Sequence, residues 1–333
     1  MQHGRLAPIM SADHPPAARS HRPGTGTAPA PMARPPALDL ALLGLAVVAV
    51  STSAPLIRGA AAPSLAVGFW RNALAIPLLG AAVLLRPRSR RELRDLAARE
   101  RRLAITAGLF LGAHFAAWVP SLSFTSVASS VALVATQPVW AALIARGRGQ
   151  HVPRLAWWGI GAAMAGTVVL SGIDLSIAPR ALFGDLLALV GGALAAAYVT
   201  VGGEVRRTVS TTVYSTVCYG TAALALLVVC GVARLPLTGY SGGTWLALVA
   251  IVVGPQMLGH TLVNRVLRTT SAMVVSVAIL FEIVGAALLA WAAFDEVPPA
   301  SAIPAALLIA LGVVLVVRAN PADPAVAGVP PLE

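Results

Sequence analysis

The chain has 333 residues, of which 57% are hydrophobic and only 11% are charged. Soluble domains carry charges on about a quarter of their residues, so this composition excludes a water-soluble globular protein. The formal net charge is +11 and every basic residue is an arginine, but the arginines lie in short segments between apolar blocks. That distribution is typical of loops facing anionic lipid, and it argues against nucleic-acid binding.

The first 36 residues are rich in Pro, Ala, His and Arg and show no apolar periodicity, which predicts a disordered cytoplasmic tail. The apolar block that follows is longer than the core of a secretory signal, although residues 51–54 resemble a cleavage site. Residues 319–333 are predicted to form a C-terminal cytoplasmic tail.

Ten apolar segments follow the N-terminal tail, each about as long as a helix needs to cross roughly 30 Å of hydrocarbon. They are residues 39–57, 63–84, 103–122, 125–145, 155–172, 183–203, 211–233, 244–264, 270–292 and 302–318. Strands of a membrane β-barrel are shorter and alternate in polarity. The predicted fold class is therefore an all-α integral membrane protein with ten transmembrane helices.

The arginines set the predicted orientation of these helices. With the N-terminus placed inside, twenty arginines fall on the cytoplasmic side, eight of them in the loop at 85–102. Only Arg58, Arg180 and Arg234 fall outside. This positive-inside bias predicts a multi-pass protein of the inner (cell) membrane with both termini in the cytoplasm.

An internal repeat links the two halves of the sequence. The stretches that begin at Thr125 and Thr270, 145 residues apart, share a Thr-Ser start and an Ala-Ala-Leu-aliphatic-Ala end. At this offset Gln137 falls on Glu282. Asp39 and Asp185, which open the first and sixth segments, are paired at nearly the same offset. Chance similarity between two helices rich in alanine and valine is the alternative.

The repeat predicts two equivalent halves, residues 37–172 and 183–318, with five spans each. An odd number of spans inverts the second half relative to the first. Inverted repeats are typical of secondary transporters, in which two mirrored bundles move around a shared site near the middle of the membrane.

Three features resemble the EamA-like ten-helix family of the drug/metabolite transporter superfamily over about residues 38–318. They are Phe69, Trp70, Arg71 and Asn72; the fourth span through Gln137 and Pro138; and the ninth through Glu282 with Phe294, Asp295 and Glu296. The sequence departs from the family's acidic-Pro pattern at Gln137 and at Ile283. The resemblance implies a secondary transporter that uses no ATP and moves metabolites, amino acids or drugs, most often outward.

Two charged residues inside predicted spans are the strongest site candidates. An ionisable group in hydrocarbon costs at least about 2.5–3.5 kcal/mol and therefore requires a partner or water. Glu282 lies near mid-depth of its span, where it fits substrate binding or proton coupling; a purely structural carboxyl is the alternative. Arg71 fits an anionic substrate group, a pair with Glu282, or an outward-reaching side chain.

Other polar, aromatic and proline residues in the spans are weaker candidates. They are His114 and His260 for proton coupling; Asn72, Gln137, Gln256 and Asn264 as polar substrate contacts; Trp140 and Tyr198 as aromatic contacts; and Pro138 and Pro255 as gate or kink positions. Satisfied interhelical polar groups, interfacial aromatics and tolerated membrane prolines are the corresponding structural alternatives.

The sequence thus predicts a secondary active transporter working by alternating access, with export and proton coupling as specific hypotheses. An intramembrane lipid-modifying enzyme and a non-transporting scaffold are the alternatives. No phosphate-binding loop, zinc-protease motif or nucleophile elbow is present, and Cys218 and Cys230 lack metal-binding spacing, so no enzyme activity, cofactor or metal is predicted. The expected partners are a small-molecule substrate and membrane lipid, and the expected state is a monomer or homodimer.

Overall fold

The computed structural model describes residues 37–125, 127–171, 178–294 and 300–319. Within these ranges the chain is helical and contains no strand. The two predicted cytoplasmic tails lie outside the described residues, apart from Ala319, and so do Asp295 and Glu296 of the family resemblance.

The first repeat forms helices α1 to α9. They are α1 (Ala37–Ser51), α2 (Ser53–Gly59), α3 (Ser64–Ala73), α4 (Ala75–Leu85), α5 (Pro87–Arg94), α6 (Ala98–Ser121), α7 (Val127–Val134), α8 (Gln137–Gly147) and α9 (Arg154–Ser171). Helix α5 carries four of the eight arginines of the predicted cytoplasmic loop, all of them exposed, and Pro87 at its first position suits a helix start.

The second repeat begins with α10 and ends with α16. The elements are α10 (Pro179–Val205), α11 (Thr211–Val232), α12 (Gly242–Ile251), a π-helical segment (Val252–His260), α13 (Thr261–Val266), α14 (Ala272–Ile279), α15 (Phe281–Phe294) and α16 (Ala302–Ala319). Pro255 lies inside the π-helical segment, where its missing N–H removes one backbone hydrogen bond.

Seven helical stretches in the described residues are long and apolar enough to cross a membrane. They are Ala37–Ile57, Ser64–Leu85, Ala98–Ser121, Pro179–Val205, Thr211–Val232, Gly242–Val266 and Ala302–Ala319. The other three predicted spans are helical too, but two of them are interrupted, between α7 and α8 and between α14 and α15. The structure therefore supports a multi-pass helical protein, and the number ten stays a prediction.

Helix packing follows a twofold pattern that matches the sequence repeat. Helix α10 packs against α7 and α8, and its counterpart α1 packs against α14 and α15. Helix α6 packs against α10, and its counterpart, formed by α12, the π-helical segment and α13, packs against α1. Counterparts also pack on each other, α11 on α3 and α4, and α9 on α16. The two halves are thus equivalent pieces of one helical bundle.

Two side-chain hydrogen bonds repeat the same symmetry. Thr269 Oγ1 donates to Asp39 Oδ2 over 2.6 Å, and Thr125 Oγ1 donates to Asp185 Oδ1 over 2.7 Å. Each bond joins the first helix of one repeat to the connection before the interrupted span of the other repeat. The interrupted spans are α7 with α8 and α14 with α15. Asp185 lies near the start of α10 and Glu204 near its end. The length of the helix places the two residues about 28 Å apart.

Glycines allow the closest helix contacts. A Cβ added at Gly159 on α9 would lie 2.8 Å from the Gly312 carbonyl oxygen on α16, and one at Gly312 would lie 2.6 Å from the Gly159 carbonyl oxygen. Gly108 and Gly112 on α6 face α11 in the same way, with the Cys218 carbonyl oxygen 2.5 Å from a Cβ at Gly108. Small residues at such crossings let helix backbones meet and gain van der Waals contact.

Candidate functional site

A small cavity lies where both repeats meet in the centre of the bundle. Its volume is about 70 Å³, which holds only a few water molecules. The polar lining residues are Ser53, His114, Gln137, Tyr198, His260, Ser276 and Glu282, joined by Trp118. The apolar lining consists of valine, alanine, leucine and isoleucine residues from α1, α7, α10, α13, α14 and α15. Both repeats therefore contribute to one cavity.

The two interrupted helices bring Gln137 and Glu282 to this cavity. Helix α7 ends at Val134 and α8 begins at Gln137, while α14 ends at Ile279 and α15 begins at Phe281. Each of the two side chains thus lies in the first turn of a half-helix, where unpaired backbone N–H groups and the helix dipole favour negative charge. Pro138 sits in the same first turn of α8, where a missing N–H costs nothing.

Gln137 and Glu282 have different surroundings. Gln137 Nε2 donates to Ser276 Oγ over 2.9 Å, so this side chain connects the two repeats across the cavity. Glu282 is only partly buried and lines the cavity. Among the ion pairs of the described residues none includes Glu282. Its carboxyl group is therefore available to a ligand or a proton in the cavity.

Two histidines, His114 and His260, also line this cavity. The His114 Nδ1 atom lies 2.9 Å from the Gly191 carbonyl oxygen, and because a carbonyl can only accept, Nδ1 donates and Nε2 is left as an acceptor. The His114 ring stacks on Trp118 at 5.7 Å, with an angle of 11° between the planes. The His260 ring meets Phe115 edge-on at 5.5 Å.

Arg71 lies behind the cavity and is fully buried. Its Nε donates to Gln256 Oε1 over 2.9 Å and its Nη1 to Ser53 Oγ over 3.4 Å. The guanidinium carbon lies 4.1 Å from the centre of the Phe115 ring, a cation–π contact. Nη2 has no hydrogen-bond partner among the described residues. Ser53 thus links the buried cation to the cavity wall.

The remaining predicted polar residues support the wall from outside. Gln256 Nε2 donates to Asn72 Oδ1 over 3.1 Å, and Asn72 Nδ2 donates to the Gly68 carbonyl oxygen over 2.9 Å. Asn264 accepts from the Tyr198 hydroxyl over 2.5 Å and donates to Ser215 Oγ over 3.1 Å. These amides therefore hold Arg71 and Tyr198 in place and do not line the cavity.

The structure separates the predicted aromatic residues. Tyr198 lines the cavity, but Trp140 does not, and its Nε1 donates to Thr136 Oγ1 over 3.1 Å in the preceding turn. Two lining serines, Ser53 and Ser276, are absent from the predicted site. Small hydroxyl residues in apolar segments carry little sequence signal, because most of them bond to their own helix backbone.

Comparisons with known proteins agree with this architecture. The sequence profile of the EamA-like transporter family matches residues 38–172 and 182–318, one match for each repeat. A solved structure described as "Crystal structure of protein" superposes with a TM-score of 0.69 and 23% sequence identity, covering 84% of this chain and 96% of that chain. No curated protein matches the sequence.

Proposed function

Because the chain belongs to the EamA-like transporter family, we propose that it is a secondary active transporter that exports a small metabolite, amino acid or drug across the inner membrane. Family membership makes it a membrane transporter of the drug/metabolite type. It also favours a non-enzymatic protein over a lipid-modifying enzyme. Substrate class, direction and energy coupling are the parts of the proposal that experiment must test.

The central cavity is the observation that carries this proposal. It lies between two equivalent halves and takes lining residues from both of them. Binding sites for small molecules usually measure about 300–1,000 Å³, so a cavity of about 70 Å³ must widen before it admits a substrate. In alternating access, a relative movement of the halves enlarges such a cavity toward one side of the membrane and then toward the other.

Proton coupling rests on Glu282. A carboxyl group at a half-helix N-terminus, facing a cavity and outside any ion pair of the described residues, can exchange a proton for a substrate group. His114 and His260 line the same cavity and offer a second route for the proton. Export driven by an inward proton flow follows if protonation of Glu282 and substrate binding exclude each other.

Transport in proteoliposomes tests the proposal. Vesicles loaded with a defined mixture of amino acids and other metabolites are placed under a proton gradient, and mass spectrometry measures the loss of each compound. We expect Glu282→Gln to abolish gradient-driven export while exchange of the same compound across the membrane continues. The control Asp95→Asn removes an exposed carboxylate that lies outside the cavity. Unchanged gradient-driven export by Glu282→Gln refutes the coupling role.

A further inference from the structure

A second, larger cavity lies at the arginine-rich end of the bundle, with a volume of about 560 Å³. It is formed by the start of α6, the residues after α8, the end of α10 and the connection from α13 to α14. The central cavity uses residues 195–199 of α10, and this one uses residues 200–204. The two cavities thus lie at successive depths along the same helix and share no lining residue. We call the second one the arginine vestibule.

Positive charge dominates the arginine vestibule. Its lining contains Arg99, Arg148, Arg207 and Arg268 against a single carboxylate, Glu204. The positive-inside rule explains why arginines occur at this end of a membrane protein, but it does not explain why they converge on one hollow. Arginine residues from both repeats meet there, since Arg99 and Arg148 belong to the first and Arg207 and Arg268 to the second.

Glu204 demonstrates how this cluster holds an oxyanion. Its Oε2 lies 3.3 Å from Arg148 Nη1, and its Oε1 accepts a hydrogen bond from Arg99 Nη2. Each carboxylate oxygen is therefore bound by a different arginine. The Arg99 and Arg148 side chains remain 62% and 43% exposed, so solvent screening weakens both pairs and an external anion can compete for them.

Two further groups point to a ligand in the arginine vestibule. Thr270 lines it and is only 7% exposed, and its buried hydroxyl has no hydrogen-bond partner among the described residues. A buried hydroxyl without a partner costs free energy unless a ligand or a water molecule forms a hydrogen bond with it. Arg207 is exposed, lines the same hollow and takes part in no ion pair of the described residues.

We propose that the arginine vestibule is a binding site for a carboxylate or phosphate group, separate from the central cavity. Arg148 and Arg207 donate to the anion, Thr270 adds a neutral donor, and Glu204 competes with the anion for Arg99 and Arg148. Arginine suits this task because its planar fork of N–H groups matches both carboxylate and phosphate oxygens. The anion belongs either to a soluble metabolite or to a lipid headgroup.

Binding of inorganic phosphate to the full-length protein in phosphatidylcholine nanodiscs tests the site. We expect the double variant Arg148→Gln/Arg207→Gln to bind phosphate about tenfold more weakly. The matched control Arg88→Gln/Arg90→Gln removes the same charge from exposed positions of α5 and is expected to bind like the wild type. Glu204→Gln is expected to tighten binding several-fold, because it removes the internal competitor while keeping a folded vestibule.

Nanodiscs that contain phosphatidylglycerol distinguish the two sources of the anion. If a headgroup occupies the site, these nanodiscs raise the unfolding temperature of the wild type and block phosphate, and the double variant loses both effects. If the ligand is soluble, phosphate binds equally well in both lipids. Equal loss of phosphate binding in the double variant and its control, or no binding of phosphate or phosphatidylglycerol at all, overturns the proposal. The measurement requires no transport, so its failure is independent of the proposed function.

Discussion

Arg71 and Glu282 are opposite charges that the bundle places near one cavity without pairing them. The hydrogen bonds of Arg71 go to neutral partners, Gln256 and Ser53, and its guanidinium also contacts the face of Phe115. Glu282 faces the cavity itself. A direct ion pair would stabilise the ionised carboxylate and occupy its oxygen atoms, leaving it less available to a proton or a substrate. The neutral partners of Arg71 therefore preserve a free acidic group in the site.

Arg71→Lys tests the geometric part of this arrangement. Lysine keeps the charge but lacks the Nε donor and the planar group that contact Gln256 and Phe115. We expect this variant to lose about 1–3 kcal/mol of stability, measured as a lower midpoint in thermal unfolding of the purified protein. Arg90→Lys, at an exposed position of α5, is the control and should unfold like the wild type. A stable Arg71→Lys variant contradicts the described role of the guanidinium.

At the same scale, some of the candidate residues predicted from the sequence line the central cavity and others do not, while their functional roles stay predictions. His114, Gln137, Tyr198, His260 and Glu282 line the cavity, as depth in the spans and repeat position suggested. Depth alone cannot tell which way a side chain points, because the orientation of a helix about its axis depends on packing against neighbours. Asn264 therefore supports the cavity wall from outside, and Trp140 bonds to Thr136, the residue just before α8.

At the scale of elements, the interrupted helices account for two of the three predicted spans that are not among the seven long apolar helices, and the third is the continuous helix α9. The sequence pattern reports apolar length only, and residues 125–145 and 270–292 are long enough. The structure divides each of them, into α7 and α8 and into α14 and α15. An interruption at equivalent places in both repeats positions Gln137 and Glu282 at helix starts, a feature that hydropathy does not encode.

Gly159→Val tests the close crossing of α9 and α16. A Cβ at Gly159 would lie 2.8 Å from the Gly312 carbonyl oxygen and 2.7 Å from a Val316 methyl carbon, so the helices must separate. We expect a loss of about 1–3 kcal/mol, seen as a lower unfolding midpoint. Gly161→Val, two residues along the same helix, has open space around its added atoms and serves as the control. Equal stability of the two variants would show that the crossing is not tight.

The mirrored hydrogen bonds of Asp39 and Asp185 test the repeat at the same scale. One double-mutant cycle combines Asp39→Ala with Thr269→Val, and a second combines Asp185→Ala with Thr125→Val. Both cycles use the unfolding free energies of the purified protein. Both bonds join a carboxylate to a hydroxyl, at 2.6 Å and 2.7 Å. We expect similar coupling energies of about 1–3 kcal/mol for each pair. Coupling in only one cycle would show that the two bonds are not equivalent.

At the scale of the whole molecule, the sequence repeat predicted the organisation of the bundle. Equivalent positions in the two halves recur in the structure as exchanged helix contacts, matching hydrogen bonds and matching helix interruptions. The arginine vestibule was not predicted, because its residues come from four separate elements and each one alone resembles an ordinary cytoplasmic arginine. The sequence shows that arginines are concentrated on one side of the membrane, but only the packing of the helices brings four of them to one cavity.

Access to the central cavity from both sides of the membrane tests the account most directly. Ile279 lines the cavity and is partly accessible, so Ile279→Cys is introduced after Cys218 and Cys230 are replaced by alanine. Leu226→Cys, at a buried core position away from the cavity, is the control. We predict that a membrane-impermeant thiol reagent modifies Ile279→Cys when applied to either side and leaves the control unmodified. Modification from one side only, or from neither, would contradict alternating access through this cavity.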